Sequence, residues 1–140
     1  MASPPAPDIR AAVWAKLLQN LSTATLCTIL ESDIAGVRGD PVLVELGQRV
    51  VAEGRAIAQA LGVDLKKAPE RPGGGQSSGV IGHKPSMLQD YEKGRPMEVE
   101  SLLMAPLAFA RAKGVAAPAL ETIAALVAHK AAAKGLYKLQ

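Results

Sequence analysis

Apolar residues recur at three- and four-residue steps along most of the chain, the spacing that lines one face of an α-helix. Ile9, Val13, Leu17, Leu18 and Leu21 make the first such stripe, Asp8 is placed to cap it, and the pattern runs on toward Glu31. Ser32 to Gly39 reads as a turn. Asp40-Pro41 then sets a capping residue directly before the proline favoured at the first helical position. A second helix is predicted from there to about Leu61, with Val44, Val51, Ile57 and Leu61 among Glu45, Gln48, Arg49 and Glu53, and Gly62 closing it.

Residues 63 to 82 break the pattern: Lys66, Lys67, Pro69, Pro72, Gly73-Gly74-Gly75, Ser77, Ser78, Gly79 and Gly82 predict a mobile, solvated loop. Three more helices are predicted, Ser86 to Lys93, Pro96 to about Lys113 and Pro118 to about Lys134. Gly94, Gly114 and Gly135 stand where each should stop, and Pro96 and Pro118 where the last two should start. No stretch alternates with the two-residue period of a strand. The expected fold class is all-α, a multi-helix bundle forming a single domain over residues 8–140, with the Pro-rich residues 1–7 as a linker or chain end.

Composition narrows this further. Hydrophobic residues make up 49% of the chain and charged ones 21%, enough apolar surface for one packed core. Trp14, Phe109, Tyr91 and Tyr137 are all the aromatics, so aliphatic helices must build that core, and a β-sandwich is disfavoured. The formal charge of +3 is scattered, and Lys66-Lys67 has no interleaved aromatic residue, which argues against nucleic acid as a partner. Cys27 is the only cysteine, so no internal disulfide can form and a reducing compartment fits. Apolar runs stop short of the roughly 20 residues of a membrane span, and the N-terminus lacks a leader pattern. A cytoplasmic protein with no membrane partner is expected.

Candidate chemistry is sparse. Lys16 and Asn20 are four apart and share a face of the first helix, where a partly desolvated lysine could give up a proton and an amide could fix a carbonyl. From the local sequence alone, a snorkelling lysine beside a surface asparagine is the favoured account of the pair. Ser86-Met87-Leu88-Gln89 matches a capping box, and the same helix start could receive a carboxylate. Glu98, two residues after Pro96, sits where a helix dipole favours negative charge and could also accept hydrogen bonds from hydroxyls. His83 and His129 have no bracketing ligands, so no metal site is expected. The Gly73 run lacks both the 1-3-6 glycine spacing and the preceding strand of a dinucleotide fingerprint.

Taken together, Trp14-Ala15-Lys16-Leu17-Leu18-Gln19-Asn20 and Ser86-Met87-Leu88-Gln89-Asp90 through Gly94-Arg95-Pro96-Met97-Glu98 resemble the two signature stretches of ketopantoate reductase C-terminal domains. Gly114-Val115-Ala116-Ala117-Pro118 resembles that family's next landmark, so the likeness spans about residues 8 to 137. The resemblance implies a helical domain of the 6-phosphogluconate dehydrogenase C-terminal type. It also implies a part in the NADPH-dependent reduction of ketopantoate to pantoate, a step toward pantothenate and coenzyme A. By the same resemblance Lys16 is the general acid, Asn20 holds the substrate, Ser86 meets its carboxylate and Glu98 binds its hydroxyl.

The chain departs from the family at Ala24 and His83, where asparagines are common, so the keto acid is left open. It also shows no βαβ pattern. NADP is therefore expected to bind a Rossmann domain that this chain lacks, the chain alone to bind no cofactor and be inactive, and its partners to be a 2-keto acid, that domain and a second copy in a homodimer. The alternative is a stand-alone, non-enzymatic helical interaction module.

Overall fold

In the computed structural model, residues 9–68 and 82–139 are described, and their regular structure is helical. Helix α1 (Ile9–Gln19) passes through a π turn (Asn20–Ala24) into α2 (Thr25–Leu30), one continuous rod that ends where Glu31 turns left-handed at φ 51°. The proposed Asp8 cap, the 1–7 segment and the glycine run lie outside the described residues. Thr25 and Thr28 are fully buried inside this rod, and each donates its hydroxyl back to a carbonyl one turn earlier, Leu21 at 2.7 Å and Ala24 at 2.8 Å.

The stretch predicted as a turn contains a helix, α3 (Ile34–Arg38). Asp33 caps it by accepting the Gly36 N–H at 2.8 Å, and Ile34 and Val37 go into the core. A single turn this short carries no readable periodicity, which is why the small and polar residues around it suggested a loop. Helix α4 (Pro41–Ala60) has the expected Asp40 cap, and Gly62 follows at φ 78°. Its buried face runs through Gly47, Val50, Gly54, Ile57 and Ala58, so Val44, at 37% exposure, lies beside that face rather than in it. After it comes a short 3-10 turn, Leu65–Lys67, capped by Asp64.

Beyond residue 81 the chain forms α5 (Ser86–Lys93), a second π turn (Glu100–Met104) leading into α6 (Ala105–Lys113), and α7 (Pro118–Ala133). Helix α6 begins later than Pro96 suggested, because the Met97 N–H donates to the Leu136 carbonyl and Met97 is buried, which holds residues 95–98 off the helical path. The π turn precedes Pro106, which has no N–H for the ladder. Widening the turn accommodates its ring, and the Ala105 N–H reaches Glu100 O instead.

Packing is close at the α1–α4 crossing. A Cβ on Gly54 would sit 2.4 Å from Leu18 Cδ2, so any side chain there would force the Leu18 side chain to move. Helix α4 also packs on the first π turn, on α6 and on α7, while α2 packs on α5 and α7. Leu21, Ile57, Leu88, Leu103 and Leu120 have no measurable or almost no exposure. Each contributes about 1.5–3 kcal/mol by leaving water. Helix α7 has Ala117 at its N-cap with no side-chain hydrogen bond of its own. Glu53 of α4 supplies the missing acceptor, taking the Leu120 N–H at 2.7 Å and the Ala119 N–H at 3.0 Å.

Candidate active site

The four sequence-predicted residues fall on three neighbouring elements. Lys16 is exposed on α1, and Asn20, half-buried, opens the π turn one helical turn later. That π turn packs against α5, whose first residue is Ser86, and against the Glu100–Met104 turn, which begins two residues after Glu98. Ser86 and Glu98 are exposed. The π turn of Asn20 thus packs against the helix that Ser86 opens and against the turn that starts two residues past Glu98, which is 78 positions from Asn20 along the chain. Among the described residues no hydrogen bond or ion pair joins one of the four side chains to another.

The π turns are a feature the periodicity did not reveal. Each inserts one extra residue into a helical turn, and such bulges recur beside functional sites. In the first, the Thr25 N–H skips to Asn20 O, which ties the backbone at Asn20 forward. Ala24 is buried at the end of the same turn.

The capping box predicted at Ser86 does not form. Pro85 occupies the cap position, Ser86 is the first helical residue, and Gln89 instead donates its side-chain amide to the Lys84 carbonyl at 2.8 Å. Ser86 is thus released from capping and sits where the free N–H groups of α5 begin. Glu98 likewise is not within the first turn. It immediately precedes Val99, and its carbonyl accepts the Leu102 N–H at 3.1 Å, so it holds the cap position of the helix that follows.

Two further anchors frame the site. The Tyr137 hydroxyl donates to Glu100, a bond that raises the phenol above its usual range. Lys134 donates to the Tyr91 carbonyl at 2.8 Å and lies 4.1 Å from the centre of the Tyr91 ring, tying the end of α7 to α5. Asp33 carries a carboxyl held below its usual range, first by the Gly36 and Gly82 N–H groups it accepts and then by Lys84 nearby. A cavity of about 570 Å³ lies elsewhere, between the helix-one rod and α4, walled by Leu26, Val37, Leu43 and Val51 with Arg38 and Arg55, and none of the four candidates lines it.

Among the described residues there is no strand, and so none of the strand, glycine turn and helix units that cradle a pyrophosphate in a Rossmann domain. No group of three or more potential metal ligands gathers among them, and none of their helices is long and apolar enough to cross a membrane.

Fold and packing together define an all-helical domain in which the turn after the first helix lies against helices from the second half of the chain. The chain belongs to the family described as ketopantoate reductase PanE/ApbA C terminal, whose model matches residues 8–131. It is 35% identical over 136 residues, 96% of its length, to a 2-dehydropantoate 2-reductase of Mesorhizobium japonicum, of which it spans 41%. In structure it resembles a dimeric ketopantoate reductase from Staphylococcus aureus (TM-score 0.76, 22% identity, 93% of this chain and 46% of that one). It also resembles a D-mandelate dehydrogenase solved with NADH (TM-score 0.78, 24% identity, 93% and 45%). The chain thus spans about two fifths of the curated relative and just under half of each solved one.

Proposed function

We propose that this chain is the substrate-binding and proton-donating helical domain of a 2-dehydropantoate 2-reductase-like oxidoreductase, acting on ketopantoate in the cytoplasm with NADPH as hydride source and inactive by itself. The observation that carries the reading is the packing of the Asn20 π turn against α5, which Ser86 opens, and against the turn that starts two residues past Glu98, with Lys16 one turn away on the same rod.

Hydride addition to a ketone builds negative charge on its oxygen, so a neighbouring ammonium stabilises the transition state and then protonates the alkoxide. Lys16 takes that role. Asn20 holds the substrate beside it, Ser86 with the free N–H groups of α5 receives the carboxylate, and Glu98 accepts from the hydroxyl. The hydride donor belongs to a Rossmann domain supplied from outside the described residues.

Joined to the Rossmann half of a ketopantoate reductase, the chain should reduce ketopantoate, and Lys16→Ala should lower kcat by about 100-fold, within the range for a positioned general acid. A variant within about twofold of the parent would refute the assignment. The unfused chain should not consume NADPH with ketopantoate. Oxidation above that of its Lys16→Ala variant would overturn its dependence on a second domain.

A second reading, a non-enzymatic interaction module, draws on apolar side chains left in water: Ile9 at 77%, Val13 at 59%, Val42 at 73% and Leu126 at 50% exposure. Both readings favour a homodimer, as does the dimeric relative. Light scattering at high concentration that returns a monomer mass would count against it.

A further inference from the structure

Asp33 lies outside the four candidate residues, yet its carboxylate spans two parts of the chain. One oxygen accepts the Gly36 N–H at 2.8 Å and caps α3; the other accepts the Gly82 N–H at 2.8 Å, 49 positions away. The next residue repeats the link through its backbone, the Ile34 N–H donating to the His83 carbonyl at 2.9 Å. Residues 82 and 83 are thereby pinned to the junction between α2 and α3.

From the other side the same segment is pinned to α5. Gln89 donates to the Lys84 carbonyl at 2.8 Å, and Lys84 Nζ pairs with both Glu92 oxygens at 3.0 and 3.1 Å. The segment 82–85 is therefore held at both margins, and Ser86 follows it directly. Gly82, at φ 84°, adopts a left-handed conformation that leaves its N–H facing Asp33 and that most side chains would strain.

We propose that Asp33 is a positioning residue: by bridging α3 and Gly82 it fixes the backbone of residues 82–85, and so aims Ser86 and the opening N–H groups of α5 at the carboxylate of a 2-keto acid. The substrate in this statement rests on the function proposed above; the bridge itself does not. Asp33 touches no substrate. Its two oxygens serve two donors, so a residue with one acceptor can keep the α3 cap or the bridge but not both.

Asp33→Asn tests this, because its amide retains one acceptor and presents a donor in place of the other. Asp33→Ser, too short to reach both donors but a good cap, stands in if the asparagine variant does not fold. In the 140-residue chain with helical circular dichroism retained, amide exchange from Gly82 to Ser86 should quicken by about tenfold or more. The ketopantoate dissociation constant should rise about fivefold or more. In a Ser86→Ala background that second penalty should shrink to less than about twofold, since Asp33 acts through Ser86.

Unchanged exchange at Gly82 to Ser86 would overturn the proposal, as would an affinity penalty of the same size with and without Ser86, the sign of a general structural loss. If the parent chain binds no ketopantoate, the substrate reading fails by itself, and exchange alone judges the bridge: faster exchange supports it and unchanged exchange refutes it.

Discussion

Replacing Glu53 with alanine removes the acceptor that α4 lends to the start of α7. The two N–H groups it serves belong to Ala119, half-buried, and Leu120, fully buried. Neither has a substitute in the helix itself, because the N-cap residue is Ala117. An orphaned buried donor costs about 1–3 kcal/mol, the upper part of that range applying to Leu120 and the lower to Ala119, which water can reach. The favourable meeting of a carboxylate with the positive end of the helix is lost as well. Together these give about 2–4 kcal/mol, a large part of the roughly 5–15 kcal/mol that holds a domain of this size folded. At about 3 °C per kcal/mol the melting midpoint should fall by roughly 6–12 °C. Glu53→Gln, which keeps one acceptor but no charge, should lose about half as much. Urea denaturation followed by circular dichroism measures both. A Glu53→Ala chain within about 0.5 kcal/mol of the parent would refute the reasoning, since that is the scatter expected of a surface substitution.

Asp33 predicts a pH effect. Its carboxyl is lowered in the folded chain, so its stabilisation is complete above the unfolded carboxylate range and fades as pH falls through the folded value. Asp33→Asn should flatten the acid limb of stability against pH below about 4, and an unchanged limb would contradict this. Burial, followed by the negative charge of Asp33, pushes the Cys27 thiol up to about 11, against the opposing pull of Arg38. The folded chain should therefore resist a thiol reagent at pH 8 until denatured, and the thiol's neutral-form contribution to stability should fade as pH rises from about 9 through 11. Rapid labelling of the native chain would show the site to be open. Gly54→Val should destabilise by about 1–3 kcal/mol, because the added carbons meet Leu18 where α1 crosses α4; a neutral result in thermal melts would mean the crossing can relax.

What the sequence determined by itself was the class of fold and most of its punctuation. The three- and four-residue stripe, the Asp40-Pro41 start and the glycines at 62, 94, 114 and 135 are local signals, and each acts through φ, ψ and hydrogen bonds within a few residues of itself. The family likeness was legible because it sits in two short contiguous stretches, around Lys16 and around Ser86 to Glu98. What only the tertiary structure decided were the contacts across distance. Met97 leaves the helical path because Leu136 accepts its N–H, Ser86 is freed from capping because Pro85 takes that place and Gln89 turns to Lys84, and α7 starts on an acceptor borrowed from Glu53. The π turns and the short α3 likewise depend on what packs or bonds against them, as Asp33 does in tying Gly82 to the first half of the chain. A period read along the chain reports which face is apolar; which distant donor an acceptor meets depends on how the helices cross, and that is set by the fit of their surfaces.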